Sequence, residues 1–179
     1  MKKVMIAATA IALGILMAMP SVFASGQSGL AAARQGTARF HDVRQAEGAG
    51  YGSTLGTVEE PALGCFENPG VGGMGVHYVN GGLLEDGGAL DPARPEALVY
   101  EMRPNGKLKL VGLEYIVAES DVPDPMHPPM LFGRHFHKHN TLPLYVLHAW
   151  VWAPNPLGMF EDWNPRVGMC PDGVPIFGS

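Results

Sequence analysis

Glu114 stands in the run KLKLVGLEYIVA (residues 107–118), which is otherwise apolar from Leu110 onward. Read as a strand, this run sets Lys107, Lys109, Val111, Leu113, Tyr115 and Val117 on one face, and Leu108, Leu110, Gly112, Glu114, Ile116 and Ala118 on the other. The lysines mark the first face as solvent-facing at its start, so Glu114 is expected to point inward. A buried carboxylate needs a partner or becomes neutral. An arginine would make the pair structural; a histidine or a metal would make it a site. His148, in LYVLHAWVWA (144–153), shares a face with Leu144, Val146, Trp150 and Trp152. There it is either a core histidine with one good hydrogen bond or a ligand in an apolar pocket. His77, in MGVHYVN (74–80), shares a face with Gly75 and Val79, and the glycine leaves room close to the backbone. Two histidines and a carboxylate drawn from three strands make a ligand set for zinc, copper or iron. His41, near the end of a helical segment, is a fourth candidate. Its plainer reading is a solvated histidine favoured by the negative end of the helix.

A second cluster is His135-Phe136-His137-Lys138-His139. In an extended segment its three histidines project to one side, a pattern that suits transient binding of zinc, copper or nickel. Lys138 opposes a cation there, and loops tolerate histidine freely. Other chemistries lack their residues: the chain has no GxSxG elbow and no phosphate-binding glycine loop.

Four strands are expected to carry these groups: 74–80, 97–102 (ALVYEM), 107–118 and 144–153. Asn105-Gly106 between the second and third signals a tight hairpin with positive φ at both central residues. The fourth is apolar on both faces, as a covered interior strand would be. A helix is expected over 30–47, with Ser28 as its cap and Leu30, Ala33, Phe40, Val43 and Glu47 broadly on one side. Residues 81–95 and 119–142 are long connections, which are uncommon unless functional. Residues 155–179 read as a tail laid across the fold.

The N-terminus has the form of an export signal. Lys2 and Lys3 precede an uncharged apolar run of 16 residues (4–19), Pro20 ends it, and Val22-Phe23-Ala24 offers small residues around a cleavage point. The run is short of the ~20 residues that span a bilayer, so no stable membrane anchor is expected. Residues 1–24 are thus read as a signal peptide and 25–179 as a single secreted or periplasmic domain. Removing the two lysines leaves ten basic against seventeen acidic residues, a net charge of −7. That acidity excludes a nucleic-acid partner, whose phosphates need a basic face. Cys65 and Cys170 are the only two cysteines. In an oxidising compartment an even pair reads as a disulfide, here closing a loop of about 106 residues that would stabilise the fold by roughly 4–5 kcal/mol. A pair of metal thiolates is the alternative.

The stretches GGMGVHYVN (72–80), LDPARPEALVYE (90–101), LVGLEYIV (110–117) and LHAWVWAPNPLGMFEDWNPRVGMC (147–170) resemble a largely uncharacterised family of small secreted bacterial proteins. ARFHDVRQAEGAGY (38–51) is similar to its helical entry. The resemblance covers most of the chain after residue 24 and implies a shared fold and export. It carries no reaction and no catalytic residues. His41, His77, Glu114 and His148 fall inside the matching stretches, whereas the 135–139 cluster lies where the pattern is loose.

Together these features lead to the expectation of an α+β domain. One N-terminal helix packs on a curved, mainly antiparallel sheet of four or more strands, either open or curled into a barrel-like pocket. The leading functional expectation is a protein that binds a divalent metal or small ligand through His77, Glu114, His148 and His41. An enzyme using a metal-activated water or a Glu/His acid–base pair is the second. A structural or interaction protein whose buried polar groups merely satisfy one another is the third.

Overall fold

A computed structural model describes residues 22–52, 65–168 and 170 of the chain. Residues 1–21 of the expected export signal, and the end of the expected tail, lie outside the described residues. No helix among the described residues is long and apolar enough to cross a membrane.

The segment expected as one helix is three pieces: α1 (Val22–Thr37), a 3-10 turn (Ala38–His41) and α2 (Val43–Gly48). The break falls at Asp42, which is extended and whose side chain accepts a hydrogen bond from the Arg44 N–H. An aspartate in that role starts a new helix rather than continuing the old one. Ser28 therefore lies inside α1 and does not cap it. Gly36 is needed where α1 crosses the chain: a Cβ there would lie 2.4 Å from the Ala93 carbonyl oxygen. Leu30, Ala33, Phe40 and Ala46 are buried against the sheet.

The strands are β1 (Tyr51–Gly52), β2 (Cys65–Asn68), β3 (Gly72–Asn80), β4 (Ala97–Met102), β5 (Leu108–Ala118), β6 (Met130–Leu131), β7 (Arg134–His135), β8 (His137–Lys138) and β9 (Leu144–Ala149). A short helix α3 (Gly81–Leu84), capped by the Asn80 side chain, follows β3. Seven strands form one antiparallel sheet in the order β1-β3-β4-β5-β9-β8, with β2 also paired to β3. β6 and β7 form a separate two-stranded piece. The fold is α+β, and the sheet is open, with no closed barrel among the described residues.

Three local features depart from simple alternation. The β4–β5 turn contains Pro104, whose fixed φ favours a type I turn. Gly106 alone takes positive φ (74°), and the Arg103 N–H donates to the Lys107 carbonyl. The loop is the three-residue form closed by a glycine bulge, not the two-residue form with both centres left-handed. Next, Val99 faces Gly112 while Tyr100 faces Leu110, which leaves Val111 as an extra residue. This bulge turns Leu110 to the helix-covered face with Leu113 and Tyr115, and turns Val111 to the opposite face with Trp150. Finally, β9 stops at Ala149. Trp152 has crossed to the helix side, where its indole N–H donates to the Thr37 hydroxyl.

One sheet face is thus sealed by the helices, around Leu98, Tyr100, Leu113, Tyr115 and Leu147. Tyr100 and Tyr115 turn their hydroxyls to the carbonyls of Phe40 and Pro92. The other face carries Ala97, Ile116 and Val146, with Val99, Val111 and Trp150 beside them. The segment following β9 returns across this second face. Asn164 pairs with Gly73 through two backbone hydrogen bonds, and Cys65 and Cys170 form a disulfide with Cα atoms 6.0 Å apart.

Candidate metal centre

The register across β4, β5 and β9 explains how three distant residues meet. Glu114 is directly opposite Ala97 on one side and His148 on the other. His77 is opposite Val99, two residues along β4 from Ala97 and so on the same face. Cross-strand partners share a face, so all three polar side chains rise from the same side of the sheet. Ala97 lies in the row between Val79 and Glu114, diagonal to His77, and its small side chain leaves space above β4. Gly75, two residues before His77, takes φ 99° and passes so close to β4 that a Cβ would lie 2.4 Å from the Tyr100 carbonyl oxygen.

His77, Glu114 and His148 are all buried, at 5%, 7% and 2% exposure. Nε2 of His77 lies 3.5 Å from Nε2 of His148 and 3.4 Å from Oε2 of Glu114. Nε2 of His148 lies 3.8 Å from Oε1 of Glu114. The two N···O separations exceed the 2.7–3.2 Å of a formed N–H···O hydrogen bond, and the N···N contact is at the long limit of one. Zinc bonds of about 2.05 Å in tetrahedral geometry place ligand atoms roughly 3.3 Å from one another. The three groups can therefore hold a divalent ion, one ligand atom from each. Among the described residues Glu114 has no arginine ion pair; its ion-pair partners there are the two histidines.

The histidine orientations suit the same role. Nδ1 of His148 lies 3.1 Å from Oδ1 of Asp162, so Nδ1–H donates to that carboxylate and the Nε2 lone pair faces Glu114 and His77. A carboxylate behind a histidine in this way fixes its tautomer and raises its basicity as a ligand. Trp150 stacks on the His148 ring and Phe66 meets the His77 ring edge-on. Nδ1 of His77 is buried with no hydrogen-bond partner of good geometry among the described residues, although the Gly75 backbone interacts with the ring.

Burial and the neighbouring His148 hold His77 at about 3, so it is a neutral imidazole. Burial also pulls His148 down, but the Glu114 and Asp162 carboxylates outweigh it and leave His148 above the usual imidazole value. Glu114 is pushed above the usual carboxylate range by burial, against the pull of His148. Asp162 feels burial too, yet hydrogen bonds from His137 and His148 hold it well below the usual range.

Asp162 and His137 complete the site and were not legible as parts of it in the sequence. Asp162 lies in the irregular segment after β9 and accepts from His148 with one oxygen and from Nε2 of His137, 3.1 Å away, with the other. Its only sequence signal is a carboxylate within the aromatic run FEDWN of a tail tied down by a cysteine. The expected histidine cluster is divided. β8 pairs with β9 and brings His137 to the site; His139 lines the same cavity, with Nδ1 accepting from the Thr141 and Leu142 N–H groups. His135 belongs to the β6–β7 piece and does not line it. His41 is not brought to this group either. It is exposed at the end of the 3-10 turn, with its ring edge-on to Trp152 on the helix side of the sheet.

A cavity of about 360 Å³ opens over the three groups. Its walls are mainly apolar, and its floor is His77, Glu114, His148 and Asp162. No family model, curated protein or solved structure matches the chain.

Proposed function

We propose that the protein is exported and binds a divalent metal ion through His77, Glu114 and His148, with the remaining coordination positions facing the cavity. The observation that carries this reading is the convergence of the three groups in a buried site, where one ligand atom from each lies within 4.8 Å of the others. The shortest contacts among them, 3.4 and 3.5 Å, lie near the roughly 3.3 Å edge of a coordination tetrahedron. The buttressing of His148 by Asp162 supports it further. Two histidines and one carboxylate with open positions suit zinc or ferrous iron. Export is supported by the Lys-Lys start and apolar run, by the disulfide, and by the resemblance to small secreted bacterial proteins.

A second reading is hydrolytic. It is favoured by one observation: Asp162 ties His148 to His137 at the cavity, so a metal-bound water would have a proton carrier beside it.

Thermal melts of chelator-treated protein, with and without added zinc, test the metal. Binding to the folded state alone raises stability by RT ln(1 + [L]/Kd). His148→Ala and Glu114→Gln are expected to remove most of the zinc-dependent shift, and His135→Ala to leave it intact. If no shift occurs, or only His135→Ala abolishes it, the three groups are a structural cluster.

A further inference from the structure

We infer that the cavity over the metal centre takes a small amphiphile: a monoanionic oxygen-donor head group on the metal's open positions and an unbranched apolar body along the walls. This rests on the proposed metal site. The head group follows from charge. A divalent ion held by two neutral histidines and the Glu114 carboxylate keeps one positive charge, which a carboxylate or hydroxamate neutralises. Asp162, the other acid on the floor, is occupied by His137 and His148. Lys138 at the rim is paired with Glu119, so neither supplies a competing charge.

The body follows from the walls. Phe66, Met74, Val79, Leu84, Ile116 and Val146 come from four strands and α3 and offer no charge to a ligand. Burying such surface beside an ion is unfavourable for a polar occupant and favourable for an alkyl chain. The cavity volume of about 360 Å³ lies at the low end for small-molecule sites, which run from about 300 to 1,000 Å³. At about 30 Å³ per water-sized group it holds on the order of ten heavy atoms, a head group with six to eight carbons.

The test uses the full exported chain loaded with cobalt(II), whose visible spectrum reports ligation, titrated with alkyl hydroxamates from two to ten carbons. Affinity is expected to rise about fourfold per methylene, the equivalent of ~0.8 kcal/mol for each one buried, and to level off near eight carbons. Leu84→Asn, at a partly exposed wall position, is expected to weaken the eight-carbon probe at least tenfold and leave the two-carbon probe and the cobalt spectrum unchanged. A flat series on cobalt-loaded protein overturns the amphiphile inference and leaves the metal site standing. Failure to bind cobalt overturns both. Chain-length dependence that persists unchanged in Leu84→Asn places the alkyl binding elsewhere and overturns the inference.

Discussion

Replacing Asp162 with asparagine keeps the shape of the side chain but takes away the charge and one of the two acceptors that His148 and His137 share. An asparagine oxygen can accept from one of them, and its amide then faces the other as a donor. His148 loses the partner that holds its proton on Nδ1 and its Nε2 lone pair toward the ion. Partners behind a metal-binding histidine are typically worth 10–100-fold in affinity, or about 1.4–2.7 kcal/mol. Zinc at a hundred times the wild-type Kd should stabilise the wild type by about 2.7 kcal/mol. The same zinc should stabilise Asp162→Asn by only about 1.4 kcal/mol after a tenfold loss, or about 0.4 kcal/mol after a hundredfold loss. For a domain of this size 1 kcal/mol moves Tm by about 2–4 °C, so the difference is readable in a melt. Competition with a chromophoric zinc chelator gives the two dissociation constants directly. If Asp162→Asn binds zinc as tightly as the wild type, the Asp162–His148 contact does not serve the metal, and the reasoning from it fails.

Burial pushes Glu96 up to about 7, and its carboxylate accepts a hydrogen bond from the Ile116 N–H. Its folded-state value lies above its unfolded one, so its stabilisation is complete below about pH 4.5 and is lost as pH rises toward 7. Glu96→Gln should therefore be more stable than wild type at pH 8 by up to about 3 kcal/mol and nearly equal to it at pH 4; chemical denaturation at both values checks this, and equal stability at pH 8 would refute it. Cys170→Ala should cost roughly 2–5 kcal/mol, and thiol titration of the denatured, unreduced wild type should find essentially no free thiol. Intact-mass measurement of exported protein should place Ser25 first; a species that keeps Met1 would contradict the export reading.

Much of the site was legible because a strand's side-chain alternation is a local property. MGVHYVN, KLKLVGLEYIVA and LYVLHAWVWA each placed one ligand-type residue on a face with small or apolar neighbours, and the strands pair with those faces matched. Where the alternation slips, at the bulge around Val111, the slip lies before Glu114 and reverses Leu110 and Val111 while leaving the carboxylate's face unchanged. Covalent and compositional features were equally readable: two cysteines in the whole chain leave one pairing, and Pro and Gly mark the turns. The tertiary structure alone decided the rest. Asp162 reaches His148 because the segment after β9 folds back, held by the Asn164–Gly73 pair, the Trp150–Glu161 hydrogen bond and the disulfide. No periodicity in that segment records the fold-back. His41 leaves the ligand set because its helical layer packs on the far face of the sheet. His135 and His137 part company because β8 joins the main sheet while β7 does not. Side-chain period is written residue by residue, whereas which face a layer covers and which edge a short strand joins depend on burial summed over contacts far apart in the chain.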